Sequence, residues 1–330
     1  MLVDHPETIP TYDPASTWSL AMSTLKLRLF RGVCPEEAVV AWRHHGRLES
    51  AARVGYADLH QLAWHILTTN SVFVPCAAHI GPRPEDLRPA MPSPVEFAQL
   101  PVVRHIARGP CWPDGGAMHG PGYYPDLQLL VLQPEVVQGK FANTASLLAA
   151  RLSFADAMAP EAWLRWLGSA VKVPAHAPVL LVTGSSDNSA KSIVATVSGA
   201  LVEGQPPFCL KRSGRKRLSL RGQLESLYRG CRRVAVLDQS QFGIHFERVL
   251  ELVLRTRESG YPHSPEVLIV VAENTALPPS LRDRALRLDV RRPAKRLRAS
   301  LVWHAMTTRN AILKEAVARC GQPNATQVPD

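Results

Sequence analysis

The chain has 330 residues, of which 46% are hydrophobic and 20% charged, and a formal net charge of +10. This is the composition of an ordinary globular protein long enough for two domains, and no segment reaches transmembrane length or has the pattern of a signal peptide. A cytoplasmic protein with no membrane partner is therefore expected, and six scattered cysteines without a Cys-x-x-Cys pair argue for reduced thiols rather than a zinc site.

Residues 1–16 are proline-rich and read as an extended arm. Residues 17–75 carry helical periodicity with some strand character. Pro35 followed by Glu36 and Glu37 has the chemistry of a helix start, and Leu59 to Leu67 reads as a second helix. Repeated prolines make residues 77–101 an irregular connector, and residues 101–134 read as short strands with turns. From Phe141 to Val290, apolar strands alternate with helices. The helices are expected at Ala145–Leu152 and Pro160–Ala170. The strands are expected at Val179–Thr183, Arg233–Leu237, Val267–Ala272 and Ala285–Val290, with a less distinct one at Phe208–Leu210. That alternation implies an α/β fold with a parallel sheet covered by helices on both faces, after a smaller mixed α/β N-terminal domain. The expected domains are residues 1–140, 141–292 and 293–330. The last is one helix, with Leu301, Val302, Ala305, Ile312, Leu313 and Val317 facing inward, and a tail from Gly321.

The first strand of this core runs into Gly184-Ser185-Ser186-Asp187-Asn188-Ser189-Ala190-Lys191-Ser192, and a helical pattern follows. A phosphate-binding loop needs inward backbone N–H groups, a helix N-terminus facing the anion, a Lys for the outer phosphates and a hydroxyl for Mg²⁺. Lys191 and Ser192 stand where the last two are required. Gly184 lies one residue early, and Ala190 replaces the glycine beside the Lys, adding a Cβ where backbone approaches phosphate. An ordinary strand-to-helix turn is the other reading of the loop. Two later strand ends bear on the choice. Asp238 lies 47 residues after Lys191, at the end of a buried-strand pattern, where it can hold Mg²⁺ through water. Asn274 ends a further buried strand 36 residues later and can orient a water molecule. Either residue can also be a turn former at a strand end.

With Lys-Ser, Asp and Asn in this order, the region from about Tyr123 to Arg298 resembles the AAA+ ATPase domain of superfamily 3 helicases, in its phage- and plasmid-type primase-helicase branch. The segment Pro121–Leu130 is similar to the one that precedes the helical stretch before the phosphate loop in that branch. Leu252–Arg257 compares with its Thr/Arg-containing turn, and Leu281–Val290 with the Arg-rich segment after its sensor strand. The resemblance implies ATP and Mg²⁺ as ligands, with Gly184, Ser189, Ala190, Lys191 and Ser192 around the phosphates and Ser192 and Asp238 on the metal. It implies that Gln239 and Asn274 position water, and that Arg284 or Arg282 reaches a neighbouring subunit's nucleotide. It also implies single-stranded DNA as partner and a homo-oligomer, with a hexameric ring as its fullest form. Gln239 stands where the branch has Asn and other AAA+ proteins have Glu. A Gln cannot take a proton, so hydrolysis is expected to be weak or lost.

Residues 1–150 carry 11 Lys and Arg against 13 Asp and Glu; the remainder carries 27 against 15, a net of +12. All the positive excess therefore lies with the nucleotide motifs, which suits a polyanionic partner. Lys211, Arg212, Arg215, Lys216 and Arg217 form one basic cluster and Arg291–Arg298 another. Both fit phosphate contact or a solubilising loop, and neither has interleaved aromatics for base stacking. Two alternatives to an active ATPase stay open: an inactive P-loop interaction module, favoured by Ala190 and Gln239, and a P-loop small-molecule kinase.

Overall fold

The computed structural model describes residues 27–44, 48–59, 61, 62, 66, 92–113, 117–133, 148, 149, 151, 152, 154–173, 177–185, 190–212, 219–273, 281, 284–291 and 300–320. The chain divides into two compact units, residues 1–104 with 124–128, and residues 105–123 with 129–330. The expected boundaries near 140 and 292 fall outside the described residues.

In the first unit, β1 (Arg28–Arg31), β2 (Glu37–His44) and β3 (Leu48–Gly55) form an antiparallel sheet in the order β1-β2-β3. The helix expected from Pro35 is thus strand β2. Ala38, Val39, Val40 and Ala41 are all at most 1% exposed, so this run is covered on both faces and has no polar stripe for a helix to present. Glu37 accepts a hydrogen bond from Arg53 Nη1 at 3.1 Å, between β2 and β3. Inside the expected connector lies a short helix, α1 (Pro94–Ala98). Its capping box, with Ser93 Oγ accepting from the Glu96 N–H and Glu96 accepting from the Ser93 N–H, was legible as Ser-x-x-Glu before the apolar Phe97.

The second unit opens with β4 (His105–Arg108), β5 (Gly122–Tyr124) and β6 (Leu129–Leu132), the short strands expected here, in the order β4-β6-β5. Helix α2 (Ala159–Ala170) leads to the main sheet. The sheet consists of β7 (Val179–Gly184), β8 (Phe208–Leu210), β9 (Val234–Asp238), β10 (Val267–Glu273) and β11 (Ala285–Asp289). All its pairings are parallel, in the order β11-β7-β10-β9-β8. Between these strands run α3 (Ala190–Glu203), α4 (Leu220–Arg229), the short α5 (Gln239–Phe242) and α6 (Phe246–Glu258).

Strand side chains alternate between two cores. Leu180, Val182, Val234, Val236, Val267, Ile269 and Val271 pack with α2, α3 and the C-terminal helices. Val179, Leu181, Ala235, Leu237, Leu268 and Val270 pack with α4 and α6. The α/β sheet with helices on both faces is therefore the observed architecture.

The single C-terminal helix is two helices, α7 (Ser300–Thr307) and α8 (Arg309–Cys320). The hydroxyls of Thr307 and Thr308 both donate to the His304 carbonyl, at 2.9 and 2.8 Å, competing with the helical backbone at that turn. Leu301, Ala305, Ile312 and Leu313 are buried as expected, with Val302 and Val317 packed partly against them. No helix among the described residues is long and apolar enough to cross a membrane.

Candidate functional site

The connection after β7 runs by way of α3 to the far edge strand β8, whereas the connection after β10 passes to β11 on the other side of β7. The chain therefore leaves β7 and β10 in opposite directions, and their carboxyl ends, Gly184 and Glu273, are register partners. Such a switch point opens a crevice beyond the carboxyl ends of parallel strands, where open α/β sheets bind ligands.

Gly184 ends β7 and Lys191 lies in the first turn of α3. Lys191 is 7% exposed. Its Nζ donates to the Gly184 carbonyl at 3.3 Å and makes no ion pair with any carboxylate of the described residues. A buried ammonium has three N–H donors and needs negative charge near it. Beside it, Ser192 Oγ donates to Asp238 Oδ2 at 3.3 Å. Two residues 46 apart in sequence thus meet at the carboxyl edge, although β10 separates β7 from the Asp238 strand. Asp238 Oδ1 also accepts from the Ser240 N–H at 2.9 Å and the Ser240 hydroxyl at 2.8 Å, which caps α5. Ala190 is fully buried in the core that α3 shares with the sheet.

Ser192 and Asp238 are hard oxygen donors of the kind Mg²⁺ takes. Among the described residues no group of three or more His, Cys, Asp or Glu side chains could hold a metal. A magnesium ion held by these two oxygens would need its remaining ligands from phosphate and water.

Gln239 Oε1 accepts the Glu273 N–H at 2.8 Å, so the amide oxygen is committed to the neighbouring strand. Ser189, Asn274 and Arg282 lie outside the described residues, as do Arg215, Lys216 and Arg217. Lys211 and Arg212 are exposed directly after β8, at the same carboxyl edge of the sheet. Gln223 holds the Lys211 backbone at both ends, accepting its N–H at 2.8 Å and donating to its carbonyl at 2.7 Å. Arg284 is not brought to Lys191. It directly precedes β11, whose first residue pairs with Val179 at the amino end of β7, and it pairs with Glu258 in solvent. The segment Leu252–Arg257, compared above with a turn, lies within α6.

Two carboxylates at this edge were missed in sequence. Asp289 accepts from the Thr183 hydroxyl and from Arg287 Nε, the latter at 3.0 Å. Glu273 closes β10 one residue before Asn274. The period-two burial of Val267, Ile269 and Val271 could have found it, since Glu273 continues that face.

At the opposite edge a charged cluster anchors α3. The fully buried Arg309 donates to the carbonyls of Leu201 at 2.6 Å, Val202 at 3.2 Å and Arg108 at 3.1 Å, and to that of Gly109. Burial pushes its guanidinium down to about 9. Glu203, the last residue of α3, accepts the N–H groups of Arg233 at 3.0 Å and Val234 at 2.8 Å.

Solved apo structures of the NrS-1 C-terminal region are similar to 94% of the chain. One has 11% identity and a TM-score of 0.44 with 69% of that chain covered; a second has 11% identity and a TM-score of 0.42 with 70% covered. No protein-family model and no curated protein matches the chain. At this similarity the functional reading rests on the chain's own residues.

Proposed function

We propose that this chain binds ATP–Mg²⁺ at the β7–β10 crevice as an AAA+ protein of the superfamily 3 helicase type. It acts on DNA as a homo-oligomer, in replication of a phage, plasmid or other mobile element. The observation that carries the reading is Lys191: a buried ammonium without a carboxylate partner among the described residues, at the carboxyl end of a central parallel strand. The terminal phosphates supply the missing negative charge. Ser192 and Asp238 would hold the metal, which would supply positive charge to offset that developing on the phosphate oxygens. Gln239 supports a second reading, an inactive nucleotide-binding module, because it cannot take a proton and its amide oxygen is bonded to Glu273.

Lys191→Met tests the proposal by calorimetry and thermal unfolding. Removing a charge-assisted phosphate contact costs about 1.5–3 kcal/mol, so ATP–Mg²⁺ affinity falls about tenfold or more. The ligand-free fold should not lose stability, because an unpaired buried charge goes while the side-chain volume stays. A wild-type protein that takes up no nucleotide sinks the proposal. So does a Lys191→Met protein with unchanged affinity.

A further inference from the structure

We infer that Glu273, rather than Gln239, is the general base of this site; the inference rests on the ATP-binding reading above. Its register partner is Gly184, the residue whose carbonyl holds Lys191. Along β10, Val267, Ile269 and Val271 face α3, and alternation carries Glu273 to that face. Val234 and Val236 carry Asp238 to the same face by the same rule. Glu273 therefore stands on the side of the sheet from which α3 delivers Lys191 and Ser192.

Three carboxylates end strands at this edge, and two are engaged. Asp238 is taken by Ser192 and Ser240. Asp289 is taken by Thr183 and Arg287, and it lies on the other face, because Leu288 packs on the α3 side. The Glu273 carboxylate accepts no hydrogen bond and forms no ion pair among the described residues. Gln239 serves it instead, fixing the end of β10 through the Glu273 N–H at 2.8 Å.

Glu273 takes one proton from the water whose oxygen bonds to the terminal phosphorus. The bond from that phosphorus to the β–γ bridging oxygen breaks, its electron pair leaves with ADP, and the second water hydrogen stays on the phosphate. Glu273 then returns its proton to solvent.

Wild type and Glu273→Gln are compared by calorimetry with ADP–Mg²⁺ and with ADP–Mg²⁺ plus tetrafluoroaluminate, and by steady-state ATP hydrolysis with and without single-stranded DNA. The substitution should leave ADP–Mg²⁺ affinity within about threefold and weaken the tetrafluoroaluminate complex about tenfold or more, because only that complex holds the attacking water. The kcat should fall about 100-fold or more at nearly constant KM. Adding Gln239→Glu to Glu273→Gln should recover part of the loss. Wild-type turnover in Glu273→Gln, equal loss of both complexes, or a wild type that binds ATP without hydrolysing it overturns the assignment. A wild type that binds no nucleotide removes the binding reading and the assignment together.

Discussion

At the scale of single residues, the two edges of the sheet treat charge in opposite ways. Among the described residues Lys191 has one carbonyl for company, whereas Glu266, just before β10, is engaged by two partners. It binds Arg233 Nε at 2.5 Å and lies 3.8 Å from His105 Nδ1. Burial pushes the Glu266 carboxyl up, but Arg233 and His105 outweigh it and hold the group down to about 2, against 4.5 for the free side chain. A carboxyl with a lowered folded pKa stabilises the fold above its unfolded value and ceases to do so as the pH falls through the folded one. The contribution is therefore complete above about pH 4.5 and lost as the pH falls toward about 2. Glu266→Gln should lose stability near neutrality and show a flatter decline in acid. Denaturant midpoints measured across that window check this, and superimposable profiles for the two proteins would contradict it. The contrast also explains why only one of these groups reads as functional. An ion pair with its partners in place is structural, while a buried cation lacking one leaves room for a ligand.

At the scale of elements, α3 is held at its C-terminus and at mid-length. Arg309 and Glu203 fix its C-terminus, and Trp163 of α2 binds it mid-length, Nε1 donating to Ser198 Oγ at 2.9 Å. In turn α2 packs on α8 with a close approach at Gly168, where an added Cβ would run into the Ala316 carbonyl and lie 2.9 Å from Cys320 Cβ. Backbone cannot yield as a side-chain tip can. Gly168→Ala should therefore cost about 1–3 kcal/mol by forcing the two helices apart, seen as a drop of several degrees in Tm. ATP–Mg²⁺ affinity should hold, because α3 keeps its C-terminal anchors. A variant as stable as wild type would show that the helices are less tightly apposed. The α/β core was legible at this scale because each strand is a short apolar run bounded by turn formers. The strand at Phe208–Leu210 and the helix at Ala159–Ala170 fall where expected, give or take one residue. The 35–42 stretch was misread because a four-residue run buried on both faces carries no period.

At the scale of the whole molecule, the positive excess of residues 151–330 suits a polyanionic partner, and the proposed one is single-stranded DNA. Lys211 and Arg212 are the described members of the basic cluster after β8. Each phosphate contact on a single strand contributes about 0.7 to the slope of log affinity against log salt. Replacing both with Ala should lower that slope by about 1.4 and weaken binding to all sequences alike. Fluorescence anisotropy with labelled oligonucleotides over a salt series measures it. An unchanged slope would mark the two residues as a solubilising surface. Arg284 belongs to this scale as well. It stands by the amino end of β7, about 16 Å along the strand from Gly184. A role at a nucleotide thus requires the nucleotide of another copy.

The order of Lys-Ser, Asp and Asn, the alternation of strand and helix and the uneven charge are properties of the chain read locally. Period, spacing and side-chain chemistry determine them without knowledge of which strands pair. Strand order is different, because it depends on contacts between residues far apart in sequence. The placing of β10 between β7 and β9 brought Glu273 opposite Gly184, turned Gln239 onto the Glu273 backbone and let Ser192 reach Asp238 across a strand. Only the tertiary structure decided these, since a carboxylate at a strand end has no meaning until its neighbour is known.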